Sequence, residues 1–273
     1  MRTTLLLMVV LAAGIAATSV HTRGDTRASR EPLRVCSDPN NLPFSDARGA
    51  GFENKLAELL ARDLGARLQY TWWAQRRGFV RNTLNAGLCD VVMGYPSTSE
   101  LVQTTAPYYR STYVFVSRRS RKLGVRSFDD PVLRHLRIGV QLVGDDGANA
   151  PPAHALSRRG LSDHLVGYMV YGDYRNNSPP SAIVAAVARG DIDVAAVWGP
   201  LAGYFAAVQA VPLDLTPVAP RVEGSLPQTF SISLAVRRGD DARKQRLEQF
   251  LRDRRTHIGR LLAAYHVPVV EGE

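Results

Sequence analysis

Asn85-Ala86-Gly87-Leu88-Cys89-Asp90-Val91-Val92-Met93-Gly94-Tyr95-Pro96 is a helix-like run stopped by a glycine and followed by an apolar strand. About a hundred residues on, Ala188-Arg189-Gly190-Asp191-Ile192-Asp193-Val194-Ala195-Ala196-Val197-Trp198-Gly199-Pro200 repeats that order. In both, glycine precedes aspartate by three positions, and Gly and Pro end the apolar run. Glycine fits the left-handed residue that closes a helix. A short apolar run bounded by Gly and Pro fits a strand buried on both faces. Two such units predict an α/β protein of two similar lobes, each a mostly parallel sheet flanked by helices. Ligands bind outside the carboxyl ends of such strands, so the lobes predict a shared cleft.

The chain begins with a different kind of segment. Arg2 is a minimal positive region, Leu5 to Ala17 is uncharged and mostly apolar, and Ala16, Ala17, Thr18 and Ser19 offer cleavage sites. That pattern predicts a secretory signal peptide over residues 1–20, since a membrane span needs about 20 apolar residues. Residues 21–32 are polar and charged and read as a flexible leader. Roughly 250 residues then remain, enough for a full core without staples. Export permits a disulfide between the two cysteines, Cys36 and Cys89, although two buried thiols fit the sequence equally well. Neither belongs to a C-x-x-C redox pair or a haem attachment site.

The formal charge is +9, one less once Arg2 leaves with the signal. Basic runs at Arg76-Arg77, Arg118-Arg119, Arg121-Lys122, Arg158-Arg159 and Arg252 to Arg255 are scattered, as solvated faces usually are. Their sharper use is electrostatic steering toward an acidic protein partner. No interleaved basic and aromatic surface suggests nucleic acid, and no membrane span is expected after signal cleavage.

Along the mature chain, Leu33-Arg34-Val35-Cys36 and Leu68 to Trp73 read as strands. A helix opens at Gly51-Phe52-Glu53-Asn54 with Leu56, Leu59, Leu60 and Leu64 on one face, and a second runs through Phe79, Val80, Thr83 and Leu84 into the first repeat. Tyr113-Val114-Phe115-Val116 carries the chain out to the second lobe. There Leu136 to Val140 and Val166 to Tyr171 read as strands, His154-Ala155-Leu156 and Ala182 to Arg189 as helices. Gln228 to Val236 is a long β-rich run that crosses back, and two helices close the chain. The predicted first lobe is therefore discontinuous, residues 33–117 plus 229–273, with 118–228 as the second. Two crossover strands between them make the hinge a clamshell binding protein needs.

These strings together resemble type II periplasmic solute-binding proteins. Arg34-Val35-Cys36-Ser37-Asp38-Pro39-Asn40-Asn41-Leu42-Pro43-Phe44, Gly51-Phe52-Glu53-Asn54-Lys55, Tyr70-Thr71-Trp72-Trp73 and Gln75 to Leu84 narrow the likeness. So do Pro107-Tyr108-Tyr109-Arg110-Ser111-Thr112-Tyr113, Gly139 to Asn149, Pro151 to Leu156, Tyr171-Gly172-Asp173-Tyr174-Arg175 and Val197 to Tyr204. From about Leu33 to Val236 the chain resembles the quinoprotein-dehydrogenase-associated binding proteins of the MxaJ/XoxJ type. The resemblance implies a periplasmic, non-catalytic accessory protein. Its partner would be a pyrroloquinoline-quinone (PQQ) alcohol dehydrogenase of the methanol-oxidising kind, served in maturation or activation.

Amino-acid-binding relatives in this superfamily carry Thr-x-x-Arg after the first repeat strand, where a guanidinium forks onto the ligand carboxylate. Here Ser97-Thr98-Ser99-Glu100-Leu101 stands in that stretch, without arginine. The acidic residue that holds the ligand ammonium after the second repeat strand is replaced by Trp198-Gly199. Both clamps of an amino-acid ligand are missing.

Asp38, Asn40, Asn41, Tyr95, Gln141, Asp145, Asp146, Asp173 and Trp198 sit at or just past predicted strand ends, where a cleft is lined. Tyr109 and Arg110, on the way out of the first lobe, complete the candidate set for a ligand or partner cleft. For several of these the plainer use is turn chemistry: Asp38 and Asn41 around Pro39, Asp145 and Asp146 as helix caps. Gly144-Asp145-Asp146-Gly147 lacks the alternate acidic positions of a calcium loop, and the histidines are dispersed, so no metal and no cofactor is expected. Two other readings compete with the accessory protein. One is a solute receptor of an ABC importer for a small non-amino-acid solute. The other is an enzyme using Asp38, Asp145 or Glu100 as acid or base.

Overall fold

The computed structural model describes residues 31–142, 150–170 and 178–271. Asp145, Asp146, Asp173, the signal segment and the leader up to residue 30 lie outside the described residues, and the end of the expected leader, Pro32, already belongs to the first strand.

Nine main strands and seven helices follow one another along the described residues. The first part runs β1 (Pro32–Ser37), α1 (Phe52–Asp63), β2 (Arg67–Trp72), α2 (Phe79–Asn82), β3 (Val91–Pro96) and β4 (Tyr109–Arg118). The middle part runs β5 (Ile138–Leu142), α3 (Pro151–Ser157), β6 (Leu165–Met169), α4 (Ala182–Arg189), β7 (Val194–Trp198), α5 (Gly199–Ala207) and β8 (Leu213–Pro217). The chain closes with β9 (Thr229–Val236), α6 (Asp241–Asp253) and α7 (Arg255–Ala264).

The strands form one continuous path in the order β2-β1-β3-β9-β4-β7-β5-β6. It consists of two copies of one pattern set back to back. β2, β1 and β3 are parallel, and β9 joins β3 antiparallel. β6, β5 and β7 are likewise parallel, and β4 joins β7 antiparallel. Among the described residues, the two sheet halves are joined where the first half of β9 pairs with the first half of β4, from Thr229 opposite Thr112 to Ile232 opposite Tyr109. The second half of β4 belongs to the second lobe and the second half of β9 to the first. The two crossing strands therefore connect two lobes, as the long β-rich runs lead one to expect.

Strand periodicity explains why these runs are apolar throughout. Successive residues face opposite sides, and both sides are covered. On β3, Val91 and Met93 join the core under α1, α6 and α7, while Val92 joins the cluster of Cys36, Phe79, Val80 and Leu84. On β7, Val194 and Ala196 face Phe115, Phe128 and Leu156, while Ala195 and Val197 face Ile183, Val184 and Leu201. A polar residue at any of these positions would lose its hydration without gaining a partner.

The two repeat units differ in their helices. α4 is a full helix closed by Gly190 at φ 86°. The predicted helix through Phe79 to Leu84 is only one turn, ending at Asn82. Thr83 turns its hydroxyl back onto the Phe79 carbonyl at 2.7 Å, and Asn82, Asn85 and Gly87 are poor helix formers. Gly87 is left-handed nonetheless, at φ 73°. Cys36 and Cys89 are joined in a disulfide, with Cα atoms 5.5 Å apart, which ties β1 to the turn before β3.

The closing segment reaches across to α5. The Ser111 hydroxyl donates to the Pro268 carbonyl at 2.6 Å, and the Tyr204 and Tyr265 rings stack at 5.7 Å. Gly199 and Gly203 let α5 approach this closely: a Cβ on Gly203 would overlap the His266 carbonyl.

Candidate functional site

The carboxyl ends of the two parallel sets face one another across a cavity of about 250 Å³. The first lobe contributes Asn41, Phe44, Glu53, Gln75 and Tyr95. The second contributes Gln141, Val170, Trp198 and Leu201. The crossing strands supply Tyr109, Tyr113, Phe230 and Ile232. Of the sequence-derived candidates, Asn41, Tyr95, Tyr109, Gln141 and Trp198 thus lie on one wall or another of a single cavity.

Asp38 and Asn40 stand beside it rather than on it. The Asp38 carboxylate accepts from the Asn40 backbone N–H and from the Gln75 backbone N–H, both at 2.8 Å. Burial raises the Asp38 pKa, and those two N–H groups offset part of the rise. This is the turn chemistry that Asp at such a position commonly serves. The Asn40 side-chain oxygen accepts from the Ser178 N–H at 3.0 Å, a link between the loop after β1 and the segment before α4. Arg110 lies elsewhere. It lines a separate groove of about 650 Å³ with Glu248, Arg252 and Arg255. Tyr109, the residue before it on β4, lines both that groove and the cavity.

One wall is aromatic. Tyr113, Trp198 and Phe230 form a triangle, with Tyr113 to Trp198 at 5.4 Å, Trp198 to Phe230 at 5.7 Å and Tyr113 to Phe230 at 6.4 Å. Trp198 and Phe230 each pack against the cores of both lobes, so this wall spans the hinge. The Trp198 N–H donates to the Gln141 side-chain oxygen at 2.8 Å, fixing the end of β7 to that of β5.

The opposite wall is laced by Gln75. Its amide oxygen accepts from the Asn41 side-chain amide at 3.1 Å, and its amide nitrogen donates to the Gly94 carbonyl at 3.5 Å. Asn41 Oδ1 is left buried without a donor. Beside it sits Glu53, 5 % exposed, whose carboxyl has no hydrogen-bond partner among the described residues. Burial raises its pKa to about 8. Gly94 makes room for it, because a Cβ there would overlap the carboxyl. Burial is the main cause that also raises Tyr108 and Tyr109 well above the ordinary phenol value, with the Glu53 charge adding to it.

Glu53, Gln75, Tyr113 and Phe230 were not among the sequence-derived candidates. In sequence Glu53 is an acidic residue in the first turn of a helix, a common and favourable place for one. Nothing in its neighbours announces that the first turn of α1 points into a cavity.

Comparison with known proteins places this architecture. Residues 33–265 match the bacterial extracellular solute-binding proteins, family 3. The chain is 30% identical over 273 residues to Protein MoxJ of Paracoccus denitrificans, covering 94% of this chain and 96% of that protein. It is 29% identical over 246 residues to Protein MoxJ of Methylorubrum extorquens, covering 87% of this chain and 81% of the relative. Among solved structures, the periplasmic binding protein XoxJ from Methylobacterium extorquens AM1 superposes with a TM-score of 0.72 at 36% identity, covering 88% of this chain and all of that one. MxaJ from Methlophaga aminisulfidivorans MPT gives 0.74 at 25% identity, covering 87% of this chain and all of that one. With its two lobes, crossing strands and shared cavity, the chain belongs to the bacterial extracellular solute-binding proteins, family 3, and within them to the MxaJ/XoxJ type.

Proposed function

We propose that this protein is a periplasmic accessory binding protein, without catalysis of its own, that interacts with a PQQ-dependent alcohol dehydrogenase of the methanol type and assists its maturation or activation. The observation that carries the reading is likeness across nearly the whole chain to MoxJ, XoxJ and MxaJ together. Residues 1–20 are removed on export, and the lobes are bounded at residues 33–117 plus 229–273 and at 118–228. Excess positive charge supports steering toward an acidic partner. Among the described residues no helix is long and apolar enough to cross a membrane.

The test is binding of the purified mature protein to its own organism's PQQ dehydrogenase, apo and holo, at low and moderate salt. Preference for the apo enzyme, weakening as salt rises, is the expected result. Absence of binding to both forms overturns the reading. A solute receptor would then lead, a second reading favoured by the partly open cavity at the strand ends.

A further inference from the structure

The cavity has an electrostatic character that the accessory role does not use. It brings together Asn41 Oδ1, buried without a donor, the Glu53 carboxyl, which has no hydrogen-bond partner among the described residues, and a wall of aromatic rings. No lysine, arginine or histidine is among its described lining residues. The groups that act on Glu53 from neighbouring elements are Tyr70 on β2, Tyr108 just before β4 and Tyr109 on it, all neutral near pH 8. A buried carboxyl without a donor costs free energy in the empty protein. A ligand that brings N–H donors and positive charge removes that cost. The ring faces would add to the attraction, since aromatic quadrupoles present their negative face to a cation. Glu53 also lies in the first turn of the 12-residue helix α1, whose N-terminal dipole favours the ionised form once a counter-ion is present.

We propose that the cavity between the lobes binds a small organic ammonium cation, with the Glu53 carboxylate as its counter-ion and the Tyr113, Trp198 and Phe230 rings around its apolar body. At about 250 Å³ it is smaller than a drug-sized pocket, typically about 300–1,000 Å³, so the ligand is no larger than a short alkyl or single-ring amine. An amino acid is not implied, because no lysine, arginine or histidine stands among the described lining residues to hold a carboxylate. The inference concerns the cavity alone and stands apart from the dehydrogenase reading.

The cation carries its own proton signature. In the empty protein the Glu53 carboxyl is protonated below about pH 8. In the complex it is ionised, so binding at neutral pH releases one proton to solvent. Affinity accordingly falls as pH drops below that value, by about tenfold per unit. Above it the affinity levels off, until the amine itself loses its charge near pH ~10.

The experiment is isothermal calorimetry on the mature protein with butylammonium and phenethylammonium, against 1-butanol and 2-phenylethanol. Each titration is run at pH 6, 7 and 8.5 in two buffers of different ionisation enthalpy. The expected result is binding of the ammonium compounds only, tightening with pH, with release of close to one proton at pH 7. Glu53→Gln, which matches the protonated acid in shape, is expected to weaken binding about thirtyfold or more. Equal binding of the alcohols, no heat from either ammonium, or binding without proton release overturns the proposal. A folded Glu53→Gln protein that keeps full affinity does the same. Proton release is measured on the unaltered protein, so a variant that fails to fold leaves the decision intact.

Discussion

Arg34 grips Asp90 with two prongs, Nε to Oδ2 at 2.9 Å and Nη2 to Oδ1 at 2.7 Å, while its Nη1 donates to the Gly87 carbonyl at 3.0 Å. The second lobe repeats the device. Arg137 donates to Asp193 through Nε at 3.3 Å and to the Gly190 carbonyl through Nη2 at 2.8 Å. In each lobe the aspartate N–H also donates to that same arginine's carbonyl, at 2.8 Å and 3.0 Å. The three-residue spacing of glycine and aspartate therefore has a physical purpose. It places a left-handed carbonyl and a carboxylate where one guanidinium spans both, binding the start of the repeat strand to its parallel neighbour.

The two locks differ in depth, and that difference predicts unequal mutants. Asp90 is 5% exposed and also meets Arg237 and Arg243; Asp193 is 13% exposed and also meets Arg121. Asp90→Ala is expected to cost about 2–3 kcal/mol, and Asp193→Ala about 1 kcal/mol. Thermal melts of the two variants check the order. Burial pushes the Asp90 carboxyl up, but the Arg34, Arg243 and Arg237 interactions more than offset it, leaving its pKa below the ordinary value. A carboxylate lowered in this way contributes stability above its unfolded pKa and loses it as pH falls through the folded one. Asp90→Asn should therefore be less acid-sensitive below about pH 4 than the unaltered protein.

Reduction of the Cys36–Cys89 bridge releases a loop with a sequence separation of 53. By the chain-entropy argument the bridge contributes about 4 kcal/mol through the unfolded state. A Cys36→Ser, Cys89→Ser double variant is expected to unfold at lower denaturant while keeping its native far-UV spectrum. Equal midpoints with and without reductant would show that the bridge adds nothing.

Glu53 predicts a pH dependence of opposite sign to that of Asp90. Its folded pKa of about 8 stands above the ordinary 4.5 because of burial. Between those values the folded state holds a proton that the unfolded state has lost, so stability declines as pH rises through this window. The slope approaches about 1.4 kcal/mol per pH unit. Glu53→Gln removes the slope, and the variant should be the more stable protein at pH 8.5. Chemical denaturation of both proteins from pH 5 to 8.5 measures it.

How much of this was legible in the sequence follows from where the signals reside. β3 and β7 are apolar on both faces and bounded by Gly and Pro, so composition alone marks them. β8 was not foreseen: Leu213-Asp214-Leu215-Thr216-Pro217 is short, ends in proline and takes its strand form from pairing with β4. Strand-end logic brought Asn41, Tyr95, Gln141 and Trp198 to the cavity, because topology decides which ends converge. The same logic could not separate them from Asp38, which spends its carboxylate on two backbone N–H groups. Glu53 and Gln75 come from a helix start and a loop, and reach the cavity only through long-range packing. No local pattern encodes that approach.

The contact between α5 and the closing segment predicts a coupling between the lobes. α5 follows β7 directly, and the Trp198 side chain at that junction lines the cavity. Gly203 meets the His266 carbonyl, Gly199 lies against the Thr112 carbonyl, and Tyr204 stacks on Tyr265. Tyr265 in turn donates its hydroxyl to the Ala50 carbonyl at 2.7 Å, next to the start of α1. A side chain at residue 203 must push this segment away, since backbone cannot yield as a flexible side chain can. Gly203→Val is therefore expected to cost about 2–3 kcal/mol. It should also raise amide exchange in α5 and in the first turn of α1 together. Exchange that rises in α5 alone would show that the segment packs against the second lobe without tying it to the first.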